Sequence, residues 1–392
     1  MKVHSYADAG TDNDLGDGTA RLASGDTRRD ASSVRARPYA APRTFLRAGD
    51  RVQVRSKGEI LATLDENGHL DGLPVMPQML QYCGQQFRVV KRAHKLCDTV
   101  NATGARRMKD AVLLEGLHCD GNAYGGCEMG CLIFWKEAWL TPLGPDDRPV
   151  FDATPSVKGS PRCTEDDLVR NVAPPEKQVA SGPTVYSCQA TQMPFATSSL
   201  SVWNPTQYVE DVRSGNAGVR DVITALSFLI FNTLATTGLG LGSFLRWCYQ
   251  TIHRNPFPYP TGRGRIPRTA KTPSVDLKLK PGELVKVKKL DEVLDTLNED
   301  LFNRGMGFHS EMVPYCDHTF QVGKRLRRLI NEKTGTILEL KNECLVLEGA
   351  PCLGRFSKPL LCPRGMSPYW REVWLERADD SDAAAGRKKD GE

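Results

Sequence analysis

Residues 46–141 and 279–378 of this sequence can be laid on each other at a nearly constant offset. Gly49-Asp50-Arg51-Val52-Gln53-Val54 aligns with Gly282-Glu283-Leu284-Val285-Lys286-Val287. Tyr82-Cys83, Phe87 and Val89 align with Tyr315-Cys316, Phe320 and Val322. Leu114-Glu115-Gly116 and Cys119 meet Leu347-Glu348-Gly349 and Cys352. Trp135-Lys136-Glu137-Ala138-Trp139-Leu140 meets Trp370-Arg371-Glu372-Val373-Trp374-Leu375. A domain-sized segment that occurs twice must fold into the same unit twice, and a chain of 392 residues has room for two cores and a connection between them.

Within each copy the pattern is mostly short strands with one helix. Val52 and Val54 alternate with polar residues, and so do Val285 and Val287. Ser56 and Glu59 stand at capping-box spacing, and Ile60, Leu61 and Leu64 give the helix one apolar face. The second copy offers Val293, Leu294 and Leu297 with a weaker start signal. Strands follow at Phe87–Ala93 and Phe320–Leu326, and at Val112–Leu114 and Leu345–Leu347. Each copy closes through Leu132–Leu140 or Tyr369–Leu375. The opening Gly-Asp-x-Val-x-Val, a long connection and four short strands resemble the SH3-like barrels. The whole arrangement is similar to a family of bacterial proteins with paired barrels and a cysteine-bearing linker, to which no activity is assigned. That resemblance implies a fold and no chemistry.

The expected fold class is mainly β with some α: tandem duplicated SH3-like small barrels joined by a loop-rich linker and one apolar helix. Residues 1–43 read as a disordered segment, dominated by Gly, Asp, Ser, Ala and Arg. Residues 44–142 form the first repeat with its cysteine loop, and 143–218 a loop-rich linker carrying Cys163 and Cys188. Residues 219–272 hold an apolar helix, read over Val219–Ala235, and a basic Pro/Gly-rich stretch. Residues 273–378 form the second repeat and 379–392 a charged tail.

Val222 to Leu245 carries no charge and has the length of a membrane span. Its Thr, Ser and Asn residues dilute the hydrophobicity, and Gly238, Gly240 and Gly242 disfavour a continuous helix. A single span would also separate two matching repeats. The segment therefore reads as a buried or interfacial helix, with peripheral membrane contact through residues 219–245. The net charge is +5, but the basic residues lie in linker-like segments without a reader motif, so nucleic acid is not an expected partner; a protein partner is. No secretory signal opens the sequence, and the expected location is cytoplasmic, with membrane association.

Twelve cysteines in such a chain read as thiols or metal ligands rather than a disulfide framework. Cys119, Cys127 and Cys131 lie in one loop with glycines at 121, 125, 126 and 130, which let the backbone curl so that sulfurs converge. Zinc takes four ligands in a tetrahedron and an iron–sulfur cluster takes four thiolates, so one ligand is wanting. His118 is awkward, because neighbouring strand residues point to opposite faces. The linker supplies Cys188 as the preferred fourth ligand, with Cys163 or Cys83 as substitutes. The expected metal site is therefore Cys119, Cys127, Cys131 and Cys188, holding zinc or an iron–sulfur cluster. In the second copy Cys352 and Cys362 persist, Met366 stands where Cys131 would be, and Pro351 replaces His118, which reads as a degraded site. Cys83 and Cys316 read as core residues, and Cys97, Cys248 and Cys344 as structural.

Trp135, Glu137 and Trp139 read as one strand face, repeated at Trp370, Glu372 and Trp374. They suit either a sugar- or base-stacking site or a tryptophan core with its Glu paired to Arg92 or Arg325; indole burial favours the core. Gly238-Leu239-Gly240-Leu241-Gly242-Ser243 lacks the lysine of a phosphate loop and reads as a turn. No Ser–His–Asp, His-Glu-x-x-His or nucleotide fingerprint is present, so catalytic residues are not assigned. The function expected is a metal-stabilised binding or accessory protein, serving a biosynthetic enzyme assembly. The alternative is an iron–sulfur or metal-dependent enzyme acting on a small molecule or glycan precursor.

Overall fold

The computed structural model describes residues 45–101, 103–149, 162–236, 241–253, 264–356 and 360–378. The expected disordered N-terminal segment and charged tail lie outside them. The described chain is mixed α/β with more strand than helix. Each copy builds one five-stranded antiparallel sheet that curls into a half-barrel. Across the first, the strands run Leu132–Lys136, Ala111–His118, Gln86–Arg92, Arg51–Val54 and Leu140–Pro142. Across the second they run Tyr369–Trp370, Ile337–Leu347, Thr319–Ile330, Leu284–Val287 and Leu375–Arg377. Matched residues hold matched partners: Val52 pairs with Phe87 and Val285 with Phe320, Val54 with Leu140 and Val287 with Leu375. A bulge follows Val89 in one sheet and Val322 in the other. Since a one-residue slip would turn every core side chain outward, equal registers give equal cores.

The Trp-x-Glu-x-Trp segment is not one strand face. Trp135 pairs with Val112 in the edge strand, after which Glu137–Trp139 makes a 3-10 turn and Leu140 joins the opposite edge. Trp370, Glu372–Trp374 and Leu375 repeat this path. The reason is closure: the chain must turn sharply to carry the last strand from one sheet edge to the other. All four indoles are fully buried, and Trp139 and Trp374 donate to Thr63 and Thr296 at 3.0 and 2.9 Å. Each intervening glutamate meets an arginine. Glu137 pairs with Arg92 and accepts from the Leu46 amide at 2.7 Å; Glu372 takes Arg325 at 2.5 Å and the Leu279 amide at 3.1 Å. Burial pushes the Glu137 carboxyl above the usual carboxylate range although Arg92 opposes the shift. The segment is core and hinge, and its indoles are closed to a stacking ligand.

The first helix, Lys57–Ala62, starts with the expected capping box, Ser56 and Glu59 bonding reciprocally. Its counterpart Leu290–Leu294 has no side-chain cap bond from Lys289. The middle region holds more structure than a loop-rich linker. Helices form at Glu165–Arg170, Gln189–Ala196 and Thr206–Arg213, and the strand Thr197–Leu200 pairs with Ala105–Met108. The helix Thr206–Arg213 is pinned through Asp211, fully buried, to Lys95 at 2.5 Å. The apolar helix spans Val219–Thr236, and Leu241–His253 forms a second helix packed against it, where only a basic linker was expected. Among the described residues, no helix is long and apolar enough to cross a membrane. Residues 238–240 of the Gly-Leu repeat lie outside the described residues.

Beyond its bulge each central hairpin extends into an arm: Lys95–Cys97 with Ala105–Met108 in the first unit, and Arg328–Ile330 with Ile337–Glu339 in the second. The arms cross reciprocally. Thr99 of the first tip bonds Glu332 of the second, which is its own counterpart in the repeat. Ile330 N donates to Cys127 Sγ at 3.4 Å, while the matching positions, Cys97 and Cys362, hydrogen-bond thiol to thiol. Contacts of i with j and j with i are the mark of an isologous, two-fold arrangement. The cysteine loop lies on the crossing.

Candidate functional site

The loop that carries Cys119, Cys127 and Cys131 is closed by local geometry. Cys119 N donates to the Cys131 carbonyl at 2.8 Å, as Cys352 N does to Met366 at 2.7 Å. Gly121 sits at φ +72°, where an added Cβ would fall 1.8 Å from the Cys127 carbonyl oxygen, so only glycine fits there. The second arm fastens the loop from outside. Glu128 accepts from the Arg327 and Arg328 amides at 2.5 and 3.0 Å, and its own carbonyl takes Lys324 Nζ at 2.7 Å.

The linker fastens it from within. Gln189 mimics a strand, accepting from Phe134 N at 2.8 Å and donating to Phe134 O at 2.9 Å, and this seats the adjacent Cys188. Cys119, Cys127, Cys131 and Cys188 consequently line one cavity, together with Met76, Tyr124, Ile330 and the Glu332–Arg364 pair. Its free volume is about 30 Å³, close to that of a single water. Cys127 and Cys188 are buried and the other two partly so. Gln78 Nε2 points at Cys119 Sγ from 3.3 Å. Glu332 and Arg364 pair at 2.9 Å on the wall, and Arg364 also reaches Thr99 at 2.8 Å.

Burial pushes all four thiols up: Cys119 to about 12, Cys188 to about 11, and Cys127 and Cys131 also above the usual thiol value. Cys188 adds to the rise at Cys119 and Cys131, and Cys127 to that at Cys188. At neutral pH the cavity is therefore lined by protonated, unreactive thiols. Among the described residues no three His, Cys, Asp or Glu side chains form a preformed ligand set for a metal ion.

Cys163 is buried beside Gly68 and takes no part in the cavity wall; Cys83 and Cys316 pack half-buried against their own sheets' cores. His118 faces outward and bonds the Gly130 carbonyl. Cys97, read as structural, has a thiol partner. Its thiol donates to Cys362, which drives Cys97 up and Cys362 down, and Cys352 lies within electrostatic reach. Glu332 and Arg364 were missed because each reaches the cavity across the crossing of the arms. The repeat could have revealed it, since Thr99 and Glu332 are equivalent positions. No known family model, curated protein or solved structure matches this chain.

Proposed function

We propose that the chain is a metal-stabilised binding or accessory protein built from two SH3-like barrels, and that Cys119, Cys127, Cys131 and Cys188 hold one zinc ion. The observation that carries this reading is that the linker brings Cys188 to the same small cavity that the loop lines with Cys119, Cys127 and Cys131. Loading deprotonates the thiols and draws the sulfurs to about 2.3 Å from the metal. In this reading the ion locks the linker and the second arm onto the first unit, while Cys352, Cys362 and Met366 keep only the fold of the second loop. Elemental analysis and a visible spectrum of anaerobically purified protein test it. About one zinc per chain and no colour is the expected result; neither zinc nor iron would sink the metal, and a brown iron-bearing protein would move the reading to a cluster.

Peripheral membrane contact through the helical hairpin belongs to the same reading. Ile223, Ile230, Leu234, Phe244 and Trp247 are exposed on it, and between Val222 and Lys271 the sequence has no acidic residue. Binding to lipid vesicles checks it.

A further inference from the structure

The two units differ at one buried cation. In the first, Lys136 Nζ reaches Asp71 Oδ2 and the Lys109 carbonyl, both at 3.0 Å, so its buried charge is met by an acid at the surface. The matching positions in the second unit are Arg371, Arg304 and Asn342. The carbonyl contact is kept: Arg371 Nη1 donates to the carbonyls of Asn342 and Glu343, and Nη2 to that of Arg304 at 2.9 Å. The counter-charge is not kept. Arg304 occupies the left-handed turn position that Asp71 holds in the first unit, with φ 47° against 51°. An ion pair has become two adjacent cations.

Among the described residues no acid forms an ion pair with Arg371 in its place. Arg371 is only 5% exposed and its Nε has no hydrogen-bond partner. Among the described residues, the acids of this sheet pair with Arg325, Arg327, Arg328 and Arg377, and none pairs with Arg371 or Arg304. Arginine stays charged at any physiological pH, and an uncompensated buried charge is costly. Burial, reinforced by Arg304, pushes the Arg371 guanidinium below the usual arginine range. Three bonds from five N–H donors leave the closed-off Nε and one Nη2 proton, the latter for a ligand.

Both arginines line an open cavity of about 350 Å³, with Ser274, Asn303 and Lys341 on its wall. Of the acids there, Glu343 and Glu372 are taken by Arg325, and Asp276 accepts the Lys278 amide at 3.2 Å. We propose that this cavity binds the anionic group of a small molecule, a carboxylate or a phosphate, with Arg371 and Arg304 as anchors and the exposed Lys341 at the mouth. In the first unit the corresponding cavity, lined by Arg92, Asp110 and Glu137, does not include Lys136, whose charge Asp71 already meets.

The test is thermal unfolding and calorimetric titration of the full chain in phosphate, malonate and chloride at matched ionic strength. Phosphate or malonate should stabilise the protein beyond chloride, and the stronger of the two identifies the head group. Arg304→Asp rebuilds the first unit's pair; it should fold at least as stably and bind the preferred anion at least about tenfold more weakly. Lys341→Ala, a surface change, should weaken binding by a few fold. A wild-type response no greater than that to chloride would overturn the proposal, and so would an undiminished response in Arg304→Asp.

Discussion

At the scale of residues, the Trp-x-Glu-x-Trp segments show how one short motif serves a sheet twice. The indoles fill the core, and the glutamate between them ties the 3-10 turn to an arginine on the central strand and to the backbone of the entering chain. Arg92 sits at the centre in the first unit, joining Glu137, Glu210 and Asp110 and lying 4.3 Å from the Phe45 ring. Arg92→Met should cost about 3–5 kcal/mol, because it leaves Glu137 buried without its cation. The folded-state pKa of Glu137 is already raised, and the substitution raises it further. Such a group favours folding below its unfolded pKa, and that contribution is lost as pH rises through the folded value. Urea unfolding should therefore show a smaller deficit near pH 4 than near pH 8; an equal deficit at both would refute the assignment. That these tryptophans were core could be read from the sequence, since burying an indole outweighs the alternatives. The turn between them could not, because strand alternation carries no mark of where a sheet must close.

At the scale of elements, what was legible had local causes. The capped helix at Lys57–Ala62 followed from Ser56 and Glu59, and the apolar helix at Val219–Thr236 from its composition. The hidden elements form by packing. Thr197–Leu200 is a strand because Ala105–Met108 offers it an edge, and Leu241–His253 is a helix despite Gly242. The inner face of the first hairpin helix, Val222, Ala225 and Leu229, packs with Tyr208 and Leu360, which leaves Ile223, Ile230 and Leu234 outward beside Phe244 and Trp247. Of the basic residues that follow, Arg265 and Arg268 are tied to acids of the second unit, so apolar contact carries the surface. Trp247 should shift its emission to the blue with anionic vesicles, and Phe244→Ser with Trp247→Ser should weaken vesicle binding about tenfold or more, given ~0.8 kcal/mol per buried methylene. Unchanged binding in the double variant would exclude the hairpin as the contact.

At the scale of the whole molecule, the crossing of the arms makes one body of two units. Its buried centre, Thr99 with Glu332 and Arg364, borders the thiol cavity on one side and Cys97–Cys362 on the other. The convergence of Cys119, Cys127, Cys131 and Cys188 depends on that crossing and on Gln189, which explains why spacing alone left the fourth ligand open between Cys188, Cys163 and Cys83. The central claim, one four-thiolate ion in this cavity, is tested most directly by titrating the reduced, metal-free protein anaerobically with cobalt(II). Tetrahedral thiolate ligation should give intense sulfur-to-cobalt absorption saturating at about one cobalt per chain, more readily as pH rises because the buried thiols must lose protons. Cys188→Ser should diminish that band and Cys163→Ser should leave it intact. No thiolate band, or a band lost in Cys163→Ser and kept in Cys188→Ser, would contradict the account.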